Sequence, residues 1–141
     1  MSKSIDDMLN SGATWDDLIK AGFSHDEIVA EVKKLLTRAQ KRNIDTLENT
    51  IRDHLKESDF SGTLRDLQGN PVPNPKGGYY NHLQEMLDSY TALKDIKSGL
   101  SGSLKNSNLS PAVREYLQGN LNITNDYINK IKLLFEAYGG I

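Results

Sequence analysis

A chain of 141 residues, 37% hydrophobic and 26% charged, has room for one ordinary domain or two very small modules. It has no cysteine, which excludes disulfides, thiolate metal sites and cysteine nucleophiles, and its three histidines (His25, His54, His82) are too scattered to suggest a zinc site. The net charge of −2 divides into nine Lys/Arg against twelve Asp/Glu in residues 1–60 and eight against seven in residues 61–141, without the basic excess of a free-standing nucleic-acid binder.

No run approaches the roughly 18 apolar residues that span a bilayer. Residues 1–7, MSKSIDD, lack the apolar stretch of a signal peptide. The expectation is a soluble chain, cytoplasmic or delivered there by other means.

The first thirty residues carry a repeat of period ten: Ser4-Ile-Asp-Asp-Met-Leu, Thr14-Trp-Asp-Asp-Leu-Ile and Ser24-His-Asp-Glu-Ile-Val. Each opens with a hydroxyl residue able to N-cap a helix, followed three positions later by an acid that completes a capping box. Gly12 and Gly22 supply left-handed stops for the first two units. The pattern predicts two very short helices and the start of a longer one over about 25–57, with a break near Asn43. Ile28, Val32, Leu35, Leu36, Ala39, Leu47, Ile51 and Leu55 give that stretch its helical spacing.

Residues 58–78 read as a long loop. Pro71, Pro73 and Pro75 forbid helix and favour an extended path, while Gly69, Gly77 and Gly78 add turns. A loop of this length is either functional or a linker. Leu83, Met86, Leu87, Tyr90, Leu93 and Ile96 then predict a helix over about 79–98, loosened by Gly99 and Gly102. Ser110-Pro111 is a strong restart, with proline suited to the first helical position. Val113, Leu117, Leu121, Ile128, Ile131, Phe135 and Tyr138 form the last buried stripe, ended by Gly139-Gly140. No strand pair is evident, and the predicted fold is all-α.

Reactive groups are densest where the loop enters the third helical region: Lys76, Tyr79, Tyr80, Asn81, His82 and Glu85. At three-residue spacing His82 and Glu85 share a helix face. At 100° per residue, His82 lies at the edge of the apolar stripe, near Leu93 and Leu100. A histidine there, partly desolvated and beside a carboxylate, suits general acid or base work near neutrality. Metal-independent RNA cleavage needs a base for the 2′-hydroxyl, an acid for the leaving 5′-oxygen and stabilisation of the phosphorane. His82, Glu85, Lys76 and Arg65 are residues of those types, and Asp66 could act as acid or base or orient the histidine. By spacing alone, a single His-x-x-Glu pair is more often an ordinary surface pair, and the tyrosines are more often core or interface. His25 and His54 read as surface residues.

Residues 66–86, DLQGNPVPNPKGGYYNHLQEM, resemble the opening of the polymorphic toxin type 28 domain. Residues 102–111, GSLKNSNLSP, and 134–141, LFEAYGGI, are similar to later parts of that family in the same order. The resemblance covers roughly residues 60–141. It implies a small helical ribonuclease domain at the C-terminus of a large secreted bacterial protein, of the kind used in contact-dependent inhibition. It further implies cleavage of tRNA, neutralisation by a cognate immunity protein, and a target-cell cytoplasm reached by way of a larger carrier. Asp66, His82 and Glu85 are its catalytic candidates, with Arg65, Lys76, Asn81 and Tyr79 on the substrate; no metal or cofactor is implied.

Residues 1–57 would be a separate module, serving as a connector, a docking segment or a means of entering the target cell. The near-neutral charge suggests a carrier such as a translation elongation factor presenting the RNA. The acidic first half and its repeat also fit a non-enzymatic helical adaptor, and less well an immunity protein.

Overall fold

In the computed structural model, which describes residues 4–141, seven helices and no strands are present. Residues 1–3, read above for a leader, lie outside the described part. The order is α1 (Ile5–Asn10), α2 (Trp15–Lys20), α3 (His25–Leu35), α4 (Arg38–His54), α5 (Glu57–Leu67), α6 (His82–Ser103) and α7 (Pro111–Glu136). No helix among the described residues is long and apolar enough to cross a membrane.

The ten-residue repeat folds as its capping chemistry dictates. The side chains of Ser4, Thr14 and Ser24 accept the backbone N–H groups of Asp7, Asp17 and Glu27, and the reciprocal carboxylate bond is present in α2 and α3. Gly12 and Gly22 take φ of +88° and +99°, the left-handed values needed after each short helix. Each short helix buries one leucine, Leu9 or Leu18.

Two expected boundaries are corrected. The break in the long helical stretch falls at Leu36-Thr37, not near Asn43. Leu36 is extended at ψ 146°, and Thr37 with Gln40 forms a second-generation capping box that starts α4. Asn43 instead sits inside α4, against Gly99 of α6. A β-carbon at position 99 would come within 2.4 Å of the Asn43 amide, so the glycine lets the two helices approach and does not loosen α6. The second correction concerns residues 58–78: their first part is α5. The Asp59 carboxylate accepts the Lys56 N–H at 2.8 Å, and Phe60, Gly62 and Thr63 are buried against the neighbouring helix. Only residues 68–81 form the connection.

Helix α6 is the centre of the packing, with α4, α5 and α7 laid against it. Its buried residues Met86, Ser89, Leu93, Ile96 and Leu100 recur every three to four positions, as do Gln40, Ile44, Leu47 and Thr50 on α4. Helix α7 matches them with Val113, Leu117, Leu121, Thr124, Ile128, Ile131 and Phe135. Full burial of each Leu or Ile contributes about 1.5–3 kcal/mol relative to exposure. Tyr138, expected in this stripe, lies past the end of α7 and is 43% exposed. Ser110 occupies the N-cap position with Pro111 next, but its hydroxyl makes no cap bond.

The N-terminal helices close one side of this core through α3 and α7. Trp15 stacks on Tyr116 at 6.0 Å and 8°, and its backbone N–H donates to the Glu115 carboxylate at 2.7 Å.

Candidate active site

The three prolines do keep residues 68–81 out of helix, but the segment is tied down. It folds as a narrow hairpin with one antiparallel bridge between Pro73 and Tyr79. Tyr80 donates its N–H to the Val72 carbonyl at 3.0 Å, and Asn74 donates to Gly78 at 2.9 Å. At the tip, the Asn74 side chain accepts the Lys76 N–H, and Gly77 and Gly78 take positive φ. Arg65 clamps the base from α5: Nε donates to the Asn70 carbonyl at 3.0 Å and a terminal nitrogen reaches the Pro71 carbonyl at 3.4 Å.

This hairpin delivers the chain into the first turn of α6, where several of the candidates meet. Asn81 is the N-cap, its side chain accepting the Gln84 N–H at 3.1 Å. Asp66, reaching over from α5, accepts the Leu83 N–H at 2.8 Å. A carboxylate at this point also suits the positive end of the helix dipole. Thr63, fully buried, donates its hydroxyl to the Asp59 carbonyl at 2.7 Å and lies 3.2 Å from the His82 carbonyl, which stitches α5 to the start of α6.

His82 is the first residue of α6 and is half-buried. Its ring lies over Gly62 of α5 and 5.4 Å from the ring of Tyr80. The imidazole Nδ1 and the second oxygen of Asp66 are both buried without a hydrogen-bonding partner. Two unsatisfied polar atoms at one helix start are unusual enough to ask for a use. Glu85 stands one turn along on the same face, exposed.

The structure therefore gathers His82, Asp66, Asn81 and Glu85 around the first turn of α6. Arg65 stands behind them, two of its donors engaged by loop carbonyls. Lys76 is carried away to the hairpin tip, and Tyr79 is 66% exposed; it is Tyr80, not Tyr79, that faces the histidine. Sequence reasoning missed Gly62 and Thr63, which seat the histidine from a segment read as loop.

Below Glu85 a polar cleft of about 240 Å³ opens between α4 and α6, lined by Thr50, His54, Glu85, Asp88, Ser89 and Ala92. A wider, mostly apolar groove of about 520 Å³ lies on another face, around Trp15, His25, Leu47, Ile51, Tyr116 and Ile123. The polar cleft meets the His82 turn through Glu85, which lines it. Among the described residues no three His, Asp or Glu side chains are grouped to hold a metal ion.

Residues 35–137 match the model of the family described as bacterial toxin 28. The chain belongs to the bacterial toxin 28 family. The chain is also 36% identical over 104 residues to the protein named tRNA nuclease CdiA from Escherichia coli O6:K15:H31 (strain 536 / UPEC). That stretch is 74% of this chain but only 3% of the relative's length. The toxin 28 match begins well before residue 60, where the resemblance had been placed, and takes in all of α4. Every part of the hairpin, the His82 turn and the polar cleft lies inside it.

Proposed function

We propose that this toxin 28 chain is an antibacterial ribonuclease that cleaves tRNA by general acid–base catalysis without a metal. The observation that carries the reading is the seat of His82: a half-buried imidazole at the start of α6, between Gly62 and Tyr80, with carboxylates of Asp66 and Glu85 on the same turn. Its E. coli relative is a protein named as a tRNA nuclease, and that supplies the substrate class.

In this reading Nε2 of His82 takes the proton of the ribose 2′-hydroxyl, because Nδ1 is buried. Asp66 acts at one remove, accepting the Leu83 N–H and so fixing the turn that carries the ring, a positioning role. Glu85 faces the imidazolium that forms. Lys76 at the hairpin tip and the exposed ring of Tyr79 meet the RNA beside the cut, phosphate and base respectively. Asn81 fixes the turn. Arg65 acts through the hairpin and not on the substrate.

Residues 35–137 hold thirteen Lys/Arg against twelve Asp/Glu, a thin charge for unaided tRNA binding. A host protein such as a translation elongation factor that presents the tRNA would make good the shortfall. A cognate immunity protein protects the producer, and a larger carrier brings the domain into the target cytoplasm. The N-terminal helices serve as connector or docking segment, with the division between modules at the α3–α4 joint, where the family match starts.

The test is induced expression in a bacterial host, with growth and total RNA followed on gels, for the wild type and His82→Ala. Growth arrest with discrete tRNA fragments in the wild type alone supports the reading. Normal growth and intact RNA at confirmed expression would replace it with the non-enzymatic binding module. Equal toxicity from a folded His82→Ala protein would remove His82 as the catalyst.

A further inference from the structure

Helices α4 and α6 run antiparallel in a register that the contacts make plain. Asn43 meets Gly99 near one end, and towards the other Thr50 and His54 share a cleft with Glu85, Asp88, Ser89 and Ala92. His54 is therefore level with the turn around Asp88. His82 lies six residues nearer the start of α6, about 9 Å along the axis at 1.5 Å per residue. On α6, positions 82, 85, 89 and 92 fall on one stripe, so Glu85, which lines the cleft with His54, stands one turn along from His82.

His54 stands among acidic side chains. It is the last residue of α4, at the negative end of that helix, and the Glu85 and Asp88 carboxylates line the same cleft. It is exposed, and among the described residues it has no ion-pair partner within bonding distance. His54 thus opens onto a polar cleft whose Glu85 stands one turn from His82, and RNA cleavage calls for two proton-transferring groups.

We propose that His54 is the general acid of the reaction, paired with His82 as base. This rests on the ribonuclease reading above. His82 removes the 2′-hydroxyl proton; the 2′-oxygen bonds to phosphorus as the bond from phosphorus to the 5′-oxygen breaks. Protonated His54 gives its proton to that 5′-oxygen. The products are a 2′,3′-cyclic phosphate and a 5′-hydroxyl, with the net proton moved from His54 to His82 and returned through solvent.

The experiment compares wild type, His54→Ala, His54→Gln and His82→Ala on two substrates: tRNA, and a nucleoside 3′-(p-nitrophenyl phosphate), whose leaving group departs without a proton. His54 variants should cleave tRNA about 10²–10⁴-fold more slowly but release nitrophenol within a few-fold of wild type. His82→Ala should lose both activities. If His54→Ala cleaves tRNA at the wild-type rate while His82→Ala is inactive, His54 has no such role and the ribonuclease reading stands. If His54→Ala and His54→Gln lose both substrates equally, His54 is not the acid. If the wild type cleaves neither substrate, alone or with soluble host extract added, the ribonuclease reading itself fails.

Discussion

A β-carbon at position 62 would fall 2.3 Å from Cδ2 of His82, well inside the ring's van der Waals boundary. Gly62 lies in a helix, where alanine is ordinarily favoured by up to about 1 kcal/mol. Stability and activity should therefore part company in Gly62→Ala. The protein should stay folded and melt at or somewhat below the wild-type temperature, since displacing the ring costs about 1–3 kcal/mol against a helix gain of about 1 kcal/mol. Cleavage of tRNA should fall by at least about tenfold as the imidazole is pushed off its seat. Wild-type cleavage by this variant would mean that the ring's position against α5 is unimportant. None of this was visible in the sequence. His82 could be placed at the rim of an apolar stripe from its spacing with Leu93 and Leu100, but its partner surface came from a segment with no apolar periodicity strong enough to announce a helix.

The α5–hairpin–α6 unit shows why that segment was misread. Ser58, Ser61, Gly62 and Thr63 are poor or indifferent helix formers, and the prolines beyond residue 70 coloured the whole stretch as extended. Tertiary packing overrides the propensity: Phe60 is buried with Lys130 of α7 over its ring, Thr63 lies against the His82 carbonyl, and the small Gly62 admits the histidine. Where a local signal was strong it was legible, as at the Ser4, Thr14 and Ser24 caps. The Thr37–Gln40 box was equally strong and lay hidden in an unbroken run of helix-spaced apolar residues. Arg65 reads as a substrate contact from its charge and from the family resemblance, and in the structure both of its hydrogen bonds go to hairpin carbonyls. Arg65→Lys keeps the charge but loses the forked geometry. It should speed hydrogen exchange at the Asn74 and Tyr80 amides and lower kcat more than it raises KM. Unchanged exchange with a raised KM would return Arg65 to the substrate.

Across the molecule, the all-α class and the apolar faces of α6 and α7 were legible because 3.6-residue periodicity is a local property. The docking of the N-terminal helices was not. It depends on Trp15 meeting Glu115 and Tyr116, a hundred positions away, and such a pairing leaves no trace in spacing. Helix α4 shares with α6 both the core and the polar cleft, which explains physically why the family match has to include it. The result is a helical scaffold whose central helix, α6, carries His82, Glu85 and Asp88 towards its N-terminal end, where the proposed chemistry is placed. The charge of the same residues is close to balanced, so affinity for RNA has to come from few contacts or from a presenting partner.

The most direct test of this account is the chemistry of the cut ends. Purified protein, alone and with soluble host extract, is incubated with tRNA in excess EDTA, and the fragment termini are identified. The account predicts that cleavage persists in EDTA and leaves 2′,3′-cyclic phosphate and 5′-hydroxyl ends, with His82→Ala reduced by about hundredfold or more. Cleavage that requires added Mg²⁺ and leaves 5′-phosphate ends would contradict it.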